Sequence, residues 1–255
     1  MVALKRMRLF TADHGVYTKC DERHRLALYK EALIWQGLHH EFILPFLGID
    51  WATFAPALTM VSPWMKNGTV LKWLEDRGRR DVDRLLLETA QGLAYLHSVD
   101  VVHGDLRGTN ILISDDGHAC LSDFGLATLI RDSLVYITPS SSNHAGSTRW
   151  TAPELLEPKR FGCERVVRTT ASDVYAYAVV CVELYTGSPP FPQLNDGGVI
   201  LQISQGMRPT RPEFMSAALF ELVTSAWAED FRTRPTSCEL AASLQGLIAV
   251  PSLST

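Results

Sequence analysis

The stretch from Val101 to Ile113, VVHGDLRGTNILI, constrains this chain most. Val101 and Val102 lead in and Ile111 to Ile113 lead out, so a polar loop is gripped at both ends by buried structure. After a turn at Asp115, Asp116 and Gly117 the chain returns through HACLSDFG, which predicts a hairpin. That hairpin brings Asp123 back beside Asn110, with Asp105 a few residues upstream. A carboxylate and an amide side by side are hard oxygen ligands, suited to Mg²⁺ that also binds phosphates. Asp105 is then close to the metal without being needed as its ligand, and is placed to accept a proton from an attacking hydroxyl. Phosphoryl transfer depends on positioning and charge neutralisation more than on covalent chemistry, and this set supplies both.

The rest of the chain predicts an α+β layout. MVALKRMRLF at the start has strand character, and Phe42–Asp50 and Ala57–Met65 are apolar runs bounded by turn residues, read as strands. Leu26, Leu28, Leu33, Ile34 and Leu38 sit among charges from Glu22 to Leu38, which suits an amphipathic helix. Beyond Asn67-Gly68 the texture turns helical. Asp81 or Asp83 can cap a helix in which Val82, Leu86, Ala90, Leu93 and Leu96 recur every three or four residues. Further helices are predicted from Ser172-Asp173 to Thr186-Gly187, from Ala217 to Glu229 and from Ser237 to Ala249. Asp132 to Thr151, which includes PSSSNHAGST, is a long loop of the kind that is usually functional or mobile. Two lobes meeting near Ser62 to Gly68 follow from this order, and 255 residues with 46% hydrophobic content suffice for a sizeable core.

Composition excludes several classes. A net charge of -4 gives no global basic field for nucleic acid or anionic lipid. The longest uncharged apolar run, Val174 to Val182, is too short to span a bilayer, and the basic start resembles no secretory signal. Five cysteines without close pairs suit reduced thiols in a cytoplasmic or nuclear setting and offer no metal-ligand spacing. His39 and His40 likewise lack partners at metal spacing. His103 reads as a packed structural residue, and Trp35, Trp64 and Trp73 as core or hinge packing.

With these residues in view, the chain resembles the eukaryotic protein kinases: HGDLRGTN is similar to their H-R-D-L-x-x-x-N loop, DFG matches outright, and APE stands at Ala152 to Glu154. The resemblance implies a bilobal α+β fold, with a small partial β-rich lobe and hinge over 1–65 and a large helical lobe over 66–255. It implies Asp105 as catalytic base and Asn110 and Asp123 as Mg²⁺ ligands. VALK resembles V-A-I-K, so Lys5 would hold the ATP phosphates, with Glu31 as its ion-pair partner in preference to Glu22. Ser62 would be the gatekeeper and Pro63, Trp64 and Met65 the hinge at the adenine, with Ala3 and Leu112 packing above and below the ring. Glu154 would pair with Arg234, and Asp173 would anchor the loop backbone. Arg107, near the transferred phosphate, is reminiscent of tyrosine kinases and their tyrosine-kinase-like relatives. Ser147, in GSTRWT, matches the Ser/Thr pattern and outweighs it. The implied activity is transfer of phosphate from ATP to serine and threonine hydroxyls of protein substrates. The phrasing around Glu31, Val61 and Val101 is particularly like fungal members of the tyrosine-kinase-like group.

Two departures qualify that implication. Gly104 stands where the family usually has an arginine that faces a phosphate on the activation segment, so regulation through Thr138 to Ser142 loses its local receiver. No G-x-G-x-x-G turn precedes Lys5, although such a turn covers the phosphates in the family. The chain is therefore expected to be either part of a longer kinase or a shortened, kinase-like interaction module that turns over little ATP.

Overall fold

The computed structural model describes residues 1–6, 29–54, 59–124, 127–129 and 147–249. Glu22, the Thr138–Ser142 cluster, Gly125 of the DFG motif and the second half of the N-terminal strand reading lie outside the described residues.

Strand β1 (Val2–Arg6), helix α1 (29–36), strand β2 (Gly48–Asp50) and strand β3 (Thr59–Pro63) form the smaller part. Their sheet is antiparallel in the order β1-β3-β2, with Lys5 opposite Met60 and Ala3 opposite Ser62. Helix α1 buries Ala32 and Trp35 and leaves Leu33 exposed. The strand expected over Phe42–Asp50 is confined to its last three residues. Phe42 and Leu44 are tied to Leu121 by backbone hydrogen bonds of 2.9 Å, and Trp35 Nε1 donates to the Leu44 carbonyl at 2.6 Å. Pro45 then lacks the donor a ladder needs, so Phe42 to Leu44 are buried outside any strand and Leu47 is exposed.

The larger part begins with α2 (Val70–Asp76) and α3 (Val82–Ser98), followed by β4 (Val101–Val102), β5 (Ile111–Ile113), β6 (Ala119–Leu121) and β7 (Thr128–Leu129). Leu86, Ala90, Leu93 and Leu96 of α3 have no exposed surface and Val82 is 3% exposed, the periodicity read from the sequence, and Leu85 is buried with them. Each such leucine contributes roughly 1.5–3 kcal/mol through burial. Strands β5 and β6 pair antiparallel with Ile111 opposite Leu121. Glu88 of α3 clamps the turn between them: it accepts from the Ala119 amide at 2.8 Å and lies 2.6 Å from Arg84, which donates to the Gly117 carbonyl.

Short α4 (Pro153–Leu156), α5 (Thr170–Thr186), α6 (Asp196–Ser204), α7 (Ala217–Ala226) and α8 (Ser237–Ala249) complete the helical lobe. Helix α5 is apolar on every side and is buried from Ser172 to Leu184, as a helix of that pattern must be. It starts earlier than Ser172-Asp173. Thr169 is the N-cap and Ser172 returns its bond in a capping box, while Gly187 (φ 70°) closes the other end. Arg234 donates twice to Glu154, at 2.7 and 2.8 Å, joining the approach to α8 to the APE segment.

Candidate active site

The loop read first in the sequence is held from beneath by two carboxylates of α5. Asp173 accepts the backbone amides of His103 (2.7 Å) and Gly104 (2.9 Å), and Glu183 accepts the amide of Gly108 (2.8 Å). Gly104 has a φ of 78°, a left-handed conformation that aims its N–H at Asp173 and that glycine adopts without the penalty a Cβ would bring. The glycine between His103 and Asp105 is thus a backbone requirement of this anchorage.

His103 has no exposed surface. Its Nε2 lies 3.1 Å from the Ser122 carbonyl and so carries the proton, leaving Nδ1 to accept the Asp105 amide at 3.2 Å. Asn110 Nδ2 donates to both the carbonyl (2.8 Å) and Oδ2 (3.0 Å) of Asp105. The other carboxylate oxygen of Asp105 accepts the Ser147 hydroxyl at 2.7 Å. On the return strand, the amide and hydroxyl of Ser122 both donate to the Asn110 carbonyl at 2.9 Å, which sets the next residue, Asp123, next to Asn110. Asp123 has a φ of 63°, unusual for a residue with a side chain and typical of functional positions.

Lys5 reaches this pair from β1. Its ammonium lies 2.6 Å from Glu31 Oε1 and 2.5 Å from Asp123 Oδ1. Burial pulls the Lys5 pKa down, but the two carboxylates outweigh it and the net direction is up. For Glu31 burial dominates: its carboxyl is raised above the usual range despite Lys5. The face behind is aromatic. Phe124 is fully buried with its ring 5.7 Å from Trp35 and 5.5 Å from His103, and Trp35 in turn lies 5.3 Å from Phe46. The position of α1, and with it Glu31, is therefore coupled to Phe124 and to the loop.

Of the residues expected around adenine, two are direct neighbours across β1 and β3. Ala3 pairs with Ser62, Ser62 is buried, and Trp64, whose amide donates to the Met1 carbonyl at 3.2 Å, is half exposed. Met65 and Leu112 pack against the core, and Leu112 bridges to Thr69. Arg107 lies against Thr109 (Nε to Oγ1, 2.6 Å) and over the Trp150 ring at 5.7 Å.

Glu183 was not singled out by the sequence reading. Burial raises its pKa to about 7 although Gly108, Trp150 and Arg107 all favour the anion, and Trp150 Nε1 donates to it at 3.0 Å. The signal available was a lone acid in the apolar run VVCVELY. Arg168, also missed, has a pKa lowered by burial and held up by Asp105 and Asp173. Among the described residues no group of three or more His, Cys, Asp or Glu could hold a metal. The hard oxygens on offer at this site are those of Asn110 and Asp123.

Comparison with known proteins decides what this arrangement belongs to. A profile described as "Protein tyrosine and serine/threonine kinase" matches residues 14–244. The chain belongs to the protein kinase family. Similar proteins include the tyrosine-protein kinase Abl of Drosophila melanogaster, 29% identical over 88% of this chain. They also include the probable serine/threonine-protein kinases drkC of Dictyostelium discoideum (30% over 97%) and SIS8 of Arabidopsis thaliana (31% over 85%). The chain spans 14%, 32% and 20% of the length of these kinases, respectively. Its α+β content and two-lobed layout are those of the kinase fold. The kinase family generally uses ATP and Mg²⁺ and acts on protein substrates. No helix among the described residues is long and apolar enough to cross a membrane. Ala3 and Lys5 precede the matched stretch, so their assignment rests on the ion pairs and the β1–β3 register.

Proposed function

We propose that this chain is an ATP-dependent protein kinase acting on serine and threonine hydroxyls, one domain with its smaller lobe and hinge over 1–65 and its larger lobe over 66–255. The observation that carries the reading is continuity. Lys5 joins Glu31 to Asp123, Asp123 is set beside Asn110 by the hairpin, and Asn110 is bonded to Asp105. Asn110 turns its Nδ2 to Asp105, so its amide oxygen, which has a long contact of 3.5 Å from the Thr109 hydroxyl, is the atom it offers a cation, and with the Asp123 carboxylate the pair suits Mg²⁺. Mg·ATP, when bound, supplies the phosphoryl group and neutralises its charge.

The chain's own residues do the rest. Lys5 holds phosphate oxygens in a position fixed by Glu31, and Ala3, Leu112 and the 62–65 connection take the adenine. Asp105 Oδ1, which accepts the Ser147 hydroxyl, orients an incoming hydroxyl and takes its proton. Arg107 steadies the transferred group. The Ser147–Asp105 contact favours Ser/Thr specificity, and Arg107 together with Ser147 favours the tyrosine-kinase-like group with a fungal-type pattern. A non-catalytic interaction module is the competing reading.

Mg·ATP binding by calorimetry and phosphate transfer to a generic protein substrate, for the chain and for Asp105→Asn, separate the two. The catalytic reading expects both proteins to bind nucleotide and Asp105→Asn to transfer at least ~100-fold more slowly. No binding and no transfer at millimolar nucleotide would refute it.

A further inference from the structure

A second polar chain runs into the catalytic loop from the opposite end of the large lobe. His97, in the last turn of α3, lies with Nε2 3.0 Å from Asp173 Oδ2 and with Nδ1 2.8 Å from the hydroxyl of Ser237, the first residue of α8. All three side chains are buried, with Ser237 3% and Asp173 2% exposed. Asp173 is the same carboxylate that holds the amides of His103 and Gly104, so a hydrogen-bonded line leads from α8 to the residue before Asp105. A carboxylate can only accept, which puts the imidazole proton on Nε2 and makes Nδ1 the acceptor of the Ser237 hydroxyl.

The three residue types are those of a hydrolytic triad, but the geometry is not. Ser237 faces Nδ1 rather than Nε2 and is buried, so no substrate reaches it. Its removal does not undo α8 either. Thr236 and Glu239 cap each other, Glu239 Oε2 accepting the Thr236 amide at 2.8 Å and Thr236 Oγ1 the Glu239 amide at 3.2 Å.

We propose that Ser237 is a positioning residue: by holding the tilt of the His97 ring, whose tautomer Asp173 sets, it steadies Asp173 and, through it, the backbone that carries Asp105. Its consequence for phosphoryl transfer rests on the kinase reading; its consequence for the loop does not. A hydrogen-bond partner on the far nitrogen of a histidine orients the ring, and losing it leaves a buried nitrogen unpaired.

The test uses the full chain and Ser237→Ala, with Leu240→Ala as a control. Leu240 lies one turn on in α8, is 1% exposed, and appears in none of these hydrogen bonds. Hydrogen exchange at the His103 and Gly104 amides and ¹⁵N NMR of labelled histidine rings are the readouts. Ser237→Ala is expected to speed exchange at both amides about tenfold and to shift the His97 Nδ1 resonance. Leu240→Ala, although it costs more global stability, leaves both at the values its global unfolding dictates. Wild-type protection in Ser237→Ala, a loss in Leu240→Ala beyond what its global unfolding accounts for, or a wild-type ring protonated at Nδ1 would each overturn the proposal. If the chain transfers phosphate, kcat falls about tenfold in Ser237→Ala with the KM for ATP unchanged, and an unchanged kcat overturns the positioning role. If wild type transfers none, the kinase reading fails while exchange still decides the latch.

Discussion

Glu183 should make this protein less stable as pH rises through neutrality, and Glu183→Gln should abolish that loss. The carboxyl is 3% exposed and its pKa is pushed from 4.5 to about 7 by burial, against the opposing pull of the Gly108 amide, the Trp150 indole and Arg107. A carboxyl raised on folding holds its proton in the native state where the unfolded chain has already lost it. Its stabilising contribution is therefore complete below pH 4.5 and is gone once pH passes about 7. One pKa unit between the two states is worth ~1.36 kcal/mol, so the span amounts to on the order of 3 kcal/mol. Glutamine keeps a carbonyl oxygen for the two donors and does not ionise. Urea unfolding of both proteins at half-unit steps from pH 4.5 to 8 reads the effect. The curves should start together, diverge between pH 5 and 7, and leave Glu183→Gln more stable by roughly that amount at pH 8. A constant difference across the range would show that Glu183 ionises as freely in the folded chain as in the unfolded one.

Arg234→Ala strands the buried carboxylate of Glu154 and should cost about 3–5 kcal/mol in chemical denaturation, far more than loss of an exposed pair. Gly104→Ala forces a side chain into a φ of 78° and should cost roughly 1–2 kcal/mol; a neutral result would mean that the loop adopts another backbone. Phe124→Ala removes the ring between Trp35 and His103 and should destabilise by about 3–5 kcal/mol, with calorimetric ATP affinity falling as α1 loosens. Lys5→Met should weaken Mg·ATP binding in the same assay without lowering the thermal midpoint appreciably, since the Lys5 side chain is 36% exposed and its pairs are partly solvated.

The sequence exposed those features whose partners are near in the chain. The hairpin that places Asp123 beside Asn110 follows from two apolar runs and a turn, and the helix expected from Ser237 to Ala249 is α8 with those bounds. The anchoring role of Asp173 and the Glu154–Arg234 pair came through a resemblance, because no local rule links residues so far apart. Helix α6 was hidden by Gly197 and Gly198 in its first turn, although Asn195 caps it. Phe42 to Leu47 was misread because an apolar run looks alike whether it is paired in a sheet or pinned as coil by Leu121 and Trp35. His97 and Ser237 were invisible for the same reason as the distant ion pair: each is an ordinary polar residue on a helix until the other helix is placed against it.

The way the loop is held explains why so polar a segment can be both buried at its edges and open at its chemistry. Asp173 and Glu183 lie ten residues apart on one helix, about 15 Å along its axis at 1.5 Å per residue. The amides they hold, Gly104 and Gly108, bracket a stretch that turns at Gly104 (φ 78°) and is extended at Arg107 (φ -162°, ψ 161°), where neighbouring side chains alternate. Leu106, 1% exposed, is driven into the core, and that alone turns Asp105 and Arg107 to the other side, where Ser147, Asn110 and Trp150 meet them. The carboxylates that hold the loop are therefore separate from the carboxylate that faces the hydroxyl. The side-chain oxygens of Asp105 accept instead from Asn110 and from the Ser147 hydroxyl.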